Sequence, residues 1–189
     1  MPTSKRHPHL LQPEQTLLVV IDMQEPFLRN IYEPERVQKN VCALIAGMNA
    51  LRVPVFSTMQ NSLKLGETIP EVKSLLQRMQ APFEKMTFSC YANLPFATEL
   101  NRSGRKQILL CGVESHICVS QTAHELLAAG FQVHVAADAI SARTEANWRL
   151  GLDKMRLAGV IPSSVEMALY EMLQAAGTSE FREILQIIK

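Results

Sequence analysis

Thr16, Leu17, Leu18, Val19, Val20, Ile21, Asp22 and Met23 (TLLVVIDM, residues 16–23) form an unbroken run of β-branched and leucine side chains that ends in an acid. A strand that is half solvated alternates apolar and polar residues, whereas one covered on both faces reads as continuous apolar sequence, as this one does. The run therefore predicts a central strand of a parallel sheet, with Asp22 at its carboxyl end.

Working outward, helical and strand patterns alternate. Glu33-Pro34 opens a helix whose Val37, Val41, Leu44, Ile45, Met48 and Leu51 recur at helical spacing, with Pro34 suited to the first position. PVFST at 54–58 reads as a second strand, 61–68 as loop and 70–79 as a shorter helix. The stretch 82–91 carries no single period. Residues 95–100 read as a brief helix and QILLCG at 107–112 as another buried strand ending in glycine. There follow a helix over 117–129 closed by Gly130, a strand over 131–137, a helix over 147–158 closed by Gly159, and a short strand at Val160 and Ile161. Ser163 with Glu166 three residues on reads as a capping box opening one more helix, and Thr178 opens a last one bearing Phe181, Ile184, Leu185 and Ile188. Strands alternating with helices predict an α/β protein of three layers: an open, mostly parallel sheet of about five or six strands with helices on both faces. Residues 1–15, with three prolines and two histidines among polar residues, read as an N-terminal arm, and 16–189 as one domain.

Composition narrows the partners. The chain has 189 residues, 47% hydrophobic and 20% charged, with a formal net charge of +1, which is enough for a real core without metals or disulfides. No Lys/Arg stripe falls on a predicted helix, so nucleic acid and anionic membrane are disfavoured as partners. No apolar run approaches the ~18 residues of a spanning helix, and residues 1–15 lack the apolar core of a signal peptide, which predicts a cytoplasmic address. Cys42, Cys90, Cys111 and Cys118 show neither CxxC nor zinc-ligand spacing, so reduced thiols are expected, with no disulfide, no metal and no cofactor. A small-molecule substrate is the partner that fits.

In open α/β sheets ligands bind beyond the carboxyl ends of the strands. Asp22 lies there, Cys118 follows the strand ending at Gly112, and Lys85 falls in the stretch without a clear period. A thiol attacks as thiolate, and the first turn of a helix, where Cys118 is predicted, favours an anion. An acid to take the thiol proton and a lysine to steady carboxylate and thiolate would complete a nucleophile, base and cation. Amides of the 112–118 turn are placed to receive an oxyanion. On spacing alone, a strand-end aspartate that caps a turn and a buried cysteine that acts as a small hydrophobe explain the same residues.

The segments LLVVIDMQEPF, EKMTFSCY and GVESHICVSQTAHELLAAGF resemble, in order and separation, the signature regions of the isochorismatase-like cysteine hydrolases, and the resemblance runs from about Leu17 to the C-terminus. It implies a Rossmann-like hydrolase fold and a catalytic set of Asp22, Lys85 and Cys118. It further implies a cis peptide between Val113 and Glu114 that turns the Glu114 and Cys118 amides towards the oxyanion, and a homo-oligomer, with which a hydrophobic C-terminal helix is compatible. FSCY and SSVEMALYEML resemble the branch of small single-domain members without an agreed substrate. Isochorismatase itself, a vinyl ether hydrolase, lacks the cysteine. Nicotinamidases add a metal site of one aspartate and two histidines after the second strand, and the matching stretch here, STMQNSLKLGE, has neither residue type.

The leading reading is hydrolysis of a small amide or related acyl substrate through a Cys118 thioester. A metal-free nicotinamidase-like amidase and a non-catalytic binding or scaffold protein are its alternatives. Dinucleotide redox chemistry is disfavoured because no G-x-G-x-x-G follows the first strand. Gln24 either orients a substrate or Lys85, or makes a loop hydrogen bond. Phe27, Phe88 and Tyr91 are candidates for the pocket wall as well as for the core. Cys90 is a rival nucleophile without a helix start. His116 reads either as a Cys–His partner or as an exposed turn residue. Asp138, Arg143 and Glu145 read either as a second polar cluster at the mouth or as caps and surface pairs, which explain them adequately.

Overall fold

The computed structural model describes residues 6–76 and 80–189. Its six strands are β1 (Thr16–Ile21), β2 (Val55–Gln60), β3 (Phe83–Lys85), β4 (Gln107–Val113), β5 (Gln132–Ser141) and β6 (Ile161–Ser163). They form one sheet in the order β3-β2-β1-β4-β5-β6, and every pairing is parallel. Helices α1 (Glu25–Leu28) and α2 (Pro34–Ala50) follow β1; α3 (Ser62–Leu65) and α4 (Pro70–Leu76) follow β2; α5 (Leu94–Arg102) follows β3. After β4 come a π-helical turn (Ser115–Val119) and α6 (Ser120–Ala128), then α7 (Glu145–Leu157) after β5, and α8 (Val165–Leu173) and α9 (Ser179–Ile187) after β6.

The apolar run of β1 feeds two cores. Its side chains alternate across the sheet, so Leu18 and Val20 join a cluster with α2 and α8, while Leu17, Val19 and Ile21 join one with residues of α5, α6 and α7. Both faces being covered, β1 carries no polar side chain between Thr16, whose hydroxyl donates to the Gln12 carbonyl at 2.7 Å, and Asp22 just past its end. Strand order reverses direction about β1 and β4, which makes their carboxyl ends the switch point of the sheet.

Two strand ends are unusual. Gly112 has φ +120°, and a Cβ there would lie 2.1 Å from the Ile21 carbonyl oxygen, so only glycine allows β1 and β4 to approach at this level. Asp22 (φ 54°) and Glu114 (φ 56°) take the left-handed conformation, which costs a non-glycine residue on the order of 1–3 kcal/mol.

Several expectations need correction. The stretch 82–91 contains the three-residue edge strand β3. The helix expected to begin at Ile117 begins at Ser115, as a π-helical turn. The cap of α8 is Ser164, whose side chain accepts from the Met167 amide, because Ser163 belongs to β6. Of the expected arm, Leu11 is fully buried, its amide donates to Glu171 Oε2 at 2.9 Å, and Gln107 Nε2 donates to the Pro8 and Leu10 carbonyls.

Candidate active site

Each candidate catalytic side chain arrives on its own strand end. β3 pairs with β2 so that Lys85 lies opposite Gln60, and β2 pairs with β1 so that Thr58 lies opposite Ile21. This register aims Lys85 inward across the strand tops to Asp22. Lys85 Nζ donates to Asp22 Oδ2 at 2.7 Å and to Gln60 Oε1 at 2.6 Å, and it lies 3.8 Å from Cys118 Sγ. Thr58 Oγ1 donates to the other carboxylate oxygen, Oδ1, at 2.8 Å. Longer contacts to the Thr87 and Phe88 carbonyls, 3.3 and 3.2 Å, complete the ammonium's surroundings.

The Asp22–Lys85 pair is buried, with side chains 1% and 0% exposed. Burial alone would favour neutral Lys85, but the Asp22 charge and hydrogen bond outweigh it and hold the ammonium above its ordinary value. The Cys118 thiol goes the same way for a different reason. Burial and then the Asp22 charge push it well up, a hydrogen bond to Asp22 adds to this, and Lys85 opposes. These surroundings work against the activation expected from the helix turn: burial and the neighbouring carboxylate favour the neutral thiol, and Lys85 favours the thiolate.

The turn that carries Cys118 is shaped without a cis bond. All described peptide bonds are trans, Val113–Glu114 included, contrary to the expectation. The left-handed Glu114 reverses the chain instead, and the Val119 amide closes a five-residue turn onto the Glu114 carbonyl at 3.4 Å. Such wide turns recur at functional sites, and the amides of the first turn are the ones a helix leaves without an internal partner. Gly151 of α7 lets this turn be packed from behind, since a Cβ there would lie 2.9 Å from the His116 Cα.

Cys118 opens into a cavity of about 570 Å³ lined by Pro26, Phe27, Asn30, Gln60, Phe88, Glu114, Ile117 and Arg143. The structure thus brings together Asp22, Lys85, Cys118, Phe27 and Phe88. Gln24 is elsewhere. It is fully buried, its Nε2 donates to the Gln60 and Gly66 carbonyls at 3.1 and 2.6 Å, and its Oε1 accepts from the Gln60 amide, so it braces the end of β2 instead of meeting a substrate. Tyr91 packs edge-on against Phe131, centroids 5.9 Å apart, because β3 ends at Lys85 and the chain turns away before reaching it.

Cys90 is fully buried, with its thiol 3.7 Å from Thr58 Oγ1, and burial followed by the Asp22 charge pushes it up to about 11. His116 directs Nδ1 to Glu114 Oε2 at 3.3 Å and Nε2 to Arg143 Nη2 at 3.5 Å, so neither ring nitrogen serves the Cys118 thiol. Asp138 accepts from the Val165 amide at the start of α8, and Glu145 pairs with Arg149. Gln60, Thr58 and Arg143 were not singled out as site residues. Gln60 and Thr58 acquire their roles only through strand register. Among the described residues, no group of three or more His, Cys, Asp or Glu stands close enough to hold a metal ion.

The family model described as "Isochorismatase domain" matches residues 16–167. The chain is 35% identical over 184 residues to the "Secreted isochorismatase effector Isc1" of Phytophthora sojae, covering 95% of this chain and 87% of the relative. Among solved structures, the MAR1 ribonuclease of Caenorhabditis elegans superposes with a TM-score of 0.87 at 29% identity, covering 94% of this chain and 91% of that one. The YcaC gene product of Escherichia coli, described as an octameric hydrolase of unknown specificity, superposes at 0.89 with 20% identity over 97% and 92% of the chains. With this fold, and with a family model spanning most of its length, the chain belongs to the isochorismatase-domain family of hydrolases.

Proposed function

We propose that the protein is a cysteine hydrolase that cleaves a small amide or related acyl compound through a thioester on Cys118. The observation that carries this reading is the contact of Cys118 Sγ with Lys85 Nζ, itself paired to Asp22, on the wall of a cavity large enough for a small substrate. Asp22 takes the thiol proton as Sγ attacks the carbonyl carbon, and the oxyanion forms against the Glu114 and Cys118 amides. Collapse of the adduct breaks the C–N bond, and the leaving amine carries off the proton held by Asp22. Water then attacks the thioester with Asp22 as base, releasing the acid and restoring the thiol. Lys85 stays an ammonium throughout, steadying Asp22 while it is charged and the sulfur once it is.

Phe27 and Phe88 supply apolar walls for the acyl group. The reading places the protein in a reducing compartment such as the cytoplasm, where its four free thiols persist, and includes self-association, as in the octameric YcaC. No helix among the described residues is long and apolar enough to cross a membrane.

The test is ammonia release from a panel of small amides by wild type, Cys118→Ser and Asp22→Asn, with acyl-enzyme trapped by acid quench and weighed by mass spectrometry. Acylation of wild type at Cys118 and its loss in both variants is the expected result. Turnover that survives Cys118→Ser would overturn the thioester.

A further inference from the structure

We propose that Arg143 is the specificity residue of this site, and that its guanidinium takes a carboxylate carried by the substrate, which makes the substrate a small amide of a dicarboxylic acid. The proposal rests on the reading that the amide is bound in the Cys118 cavity.

Arg143 lies between β5 and α7 and lines the same cavity as Cys118, with a side chain 58% exposed. Its neighbours hold it by one side and loosely. Nε stands 3.4 Å from Glu114 Oε1, and Nη2 stands 3.5 Å from His116 Nε2. Burial, partly opposed by Glu114 and reinforced by Arg143, keeps His116 below its ordinary value, so near neutral pH its Nε2 can accept from the guanidinium. A guanidinium has five N–H donors in a planar fork. Nε faces Glu114 and one Nη2 hydrogen faces His116, and the Nη1 and remaining Nη2 hydrogens have no partner among the described residues. That free edge is the one that binds a carboxylate with two parallel hydrogen bonds.

The rest of the wall leaves little else to anchor a polar group. One N–H of the Asn30 amide goes to the Pro26 carbonyl at 2.9 Å, and the Gln60 amide is held by Lys85 at its oxygen and by the Met86 carbonyl at its nitrogen, so neither carries a charge to pair with a carboxylate. Pro26, Phe27, Phe88 and Ile117 are apolar. Glu114 also lines the cavity, but it is 8% exposed and its Oε1 stands 3.4 Å from Arg143 Nε, so its charge is already countered by the guanidinium. A substrate spanning the cavity therefore meets the thiol at one end, apolar walls along its length and the free guanidinium edge at the mouth.

The test uses pairs of amides that differ in charge and hardly in shape: succinamate with 4-oxopentanamide, and glutaramate with 5-oxohexanamide. Binding is read as protection of Cys118 from iodoacetamide at pH 7.5, in wild type, Arg143→Gln and Arg143→Lys, with ammonia release measured in parallel. At least one amic acid should protect wild type at a concentration tenfold or more below its ketone twin. Arg143→Gln should remove that advantage, and Arg143→Lys, which keeps the charge without the fork, should restore part of it. Equal protection by acid and ketone in wild type, or an advantage that persists in Arg143→Gln, would overturn the clamp. Protection by an amic acid without ammonia release would keep the clamp and count against the hydrolase; ammonia release without a charge preference would do the reverse.

Discussion

Replacing Lys85 by Met and Asp22 by Asn should move the reactivity of Cys118 in opposite directions. Lys85 Nζ lies 3.8 Å from Cys118 Sγ, and unit charges at that distance attract by about 4 kcal/mol at an effective dielectric of about 20. Losing that attraction lowers the thiolate population at fixed pH by roughly a thousandfold. A thiolate of higher pKa is also the better nucleophile, which offsets nearly half of the loss on a logarithmic scale and leaves about a fiftyfold slower alkylation. The Asp22 charge acts the other way, raising the Cys118 thiol, so Asp22→Asn should alkylate faster than wild type even though amide turnover is lost. The assay is second-order labelling by iodoacetamide between pH 7 and 10, with the site assigned by peptide mass. Wild type should label slowly at pH 7 and faster as alkali ionises the raised thiol. Labelling of Lys85→Met at the wild-type rate, or slower labelling of Asp22→Asn, would refute the charge arrangement on which the mechanism depends.

The remaining predictions concern the scaffold. Because Asp22 and Lys85 are both buried, Lys85→Met should cost about 3–5 kcal/mol in urea unfolding, and the double variant with Asp22→Asn should cost less than the sum of the single ones. The Lys85 value is raised by folding, so its contribution is complete below the ordinary lysine value of 10.5 and is lost only as pH climbs through the folded value. Burial holds His134 down to about 4 from 6.5; between these values the unfolded chain binds the extra proton, so stability should rise with pH across that window by about 3 kcal/mol, a slope that His134→Gln removes. Gly112→Ala should cost several kcal/mol, since its Cβ meets the Ile21 carbonyl at 2.1 Å, while Gly130→Ala, with positive φ but nothing within 4 Å, should cost about 1 kcal/mol.

Much of the layer order could be read from hydrophobic period, because β1 and β4 are buried on both faces and α2 presents a clear apolar stripe. β3 escaped because three residues are too few to show a period, and its alternation is masked by Lys85, whose side chain is fully buried as an ion. The same residue shows why chemistry was harder to place than fold. Lysine on an edge strand ordinarily faces water, and only the pairing of Lys85 with Gln60 directs it to Asp22. Gln24 was left open between two roles for the converse reason, being polar and near the strand end, since sequence does not tell whether an amide faces a cavity or a neighbouring backbone.

Asp22 and Glu114 connect the fold to the proposed chemistry. Both are non-glycine residues in the left-handed region, and both stand immediately after strands that meet at the switch point. A strand that simply continued would carry its next side chain above or below the sheet, into one of the two apolar cores. Reversing the chain at once instead keeps Asp22 in the plane of the strand ends, where Lys85 reaches it across β2, and begins the π-helical turn early enough to bring Cys118 to the same place. The conformational cost at the two positions is borne by the packing around them: Thr58 and Lys85 hold Asp22, Arg143 and His116 flank Glu114, and Gly112 and Gly151 allow the close approaches beneath. Because the Glu114 backbone shapes the turn while its side chain faces Arg143, one residue would place both the proposed oxyanion amides and the proposed carboxylate fork, which couples the geometry of attack to the choice of substrate.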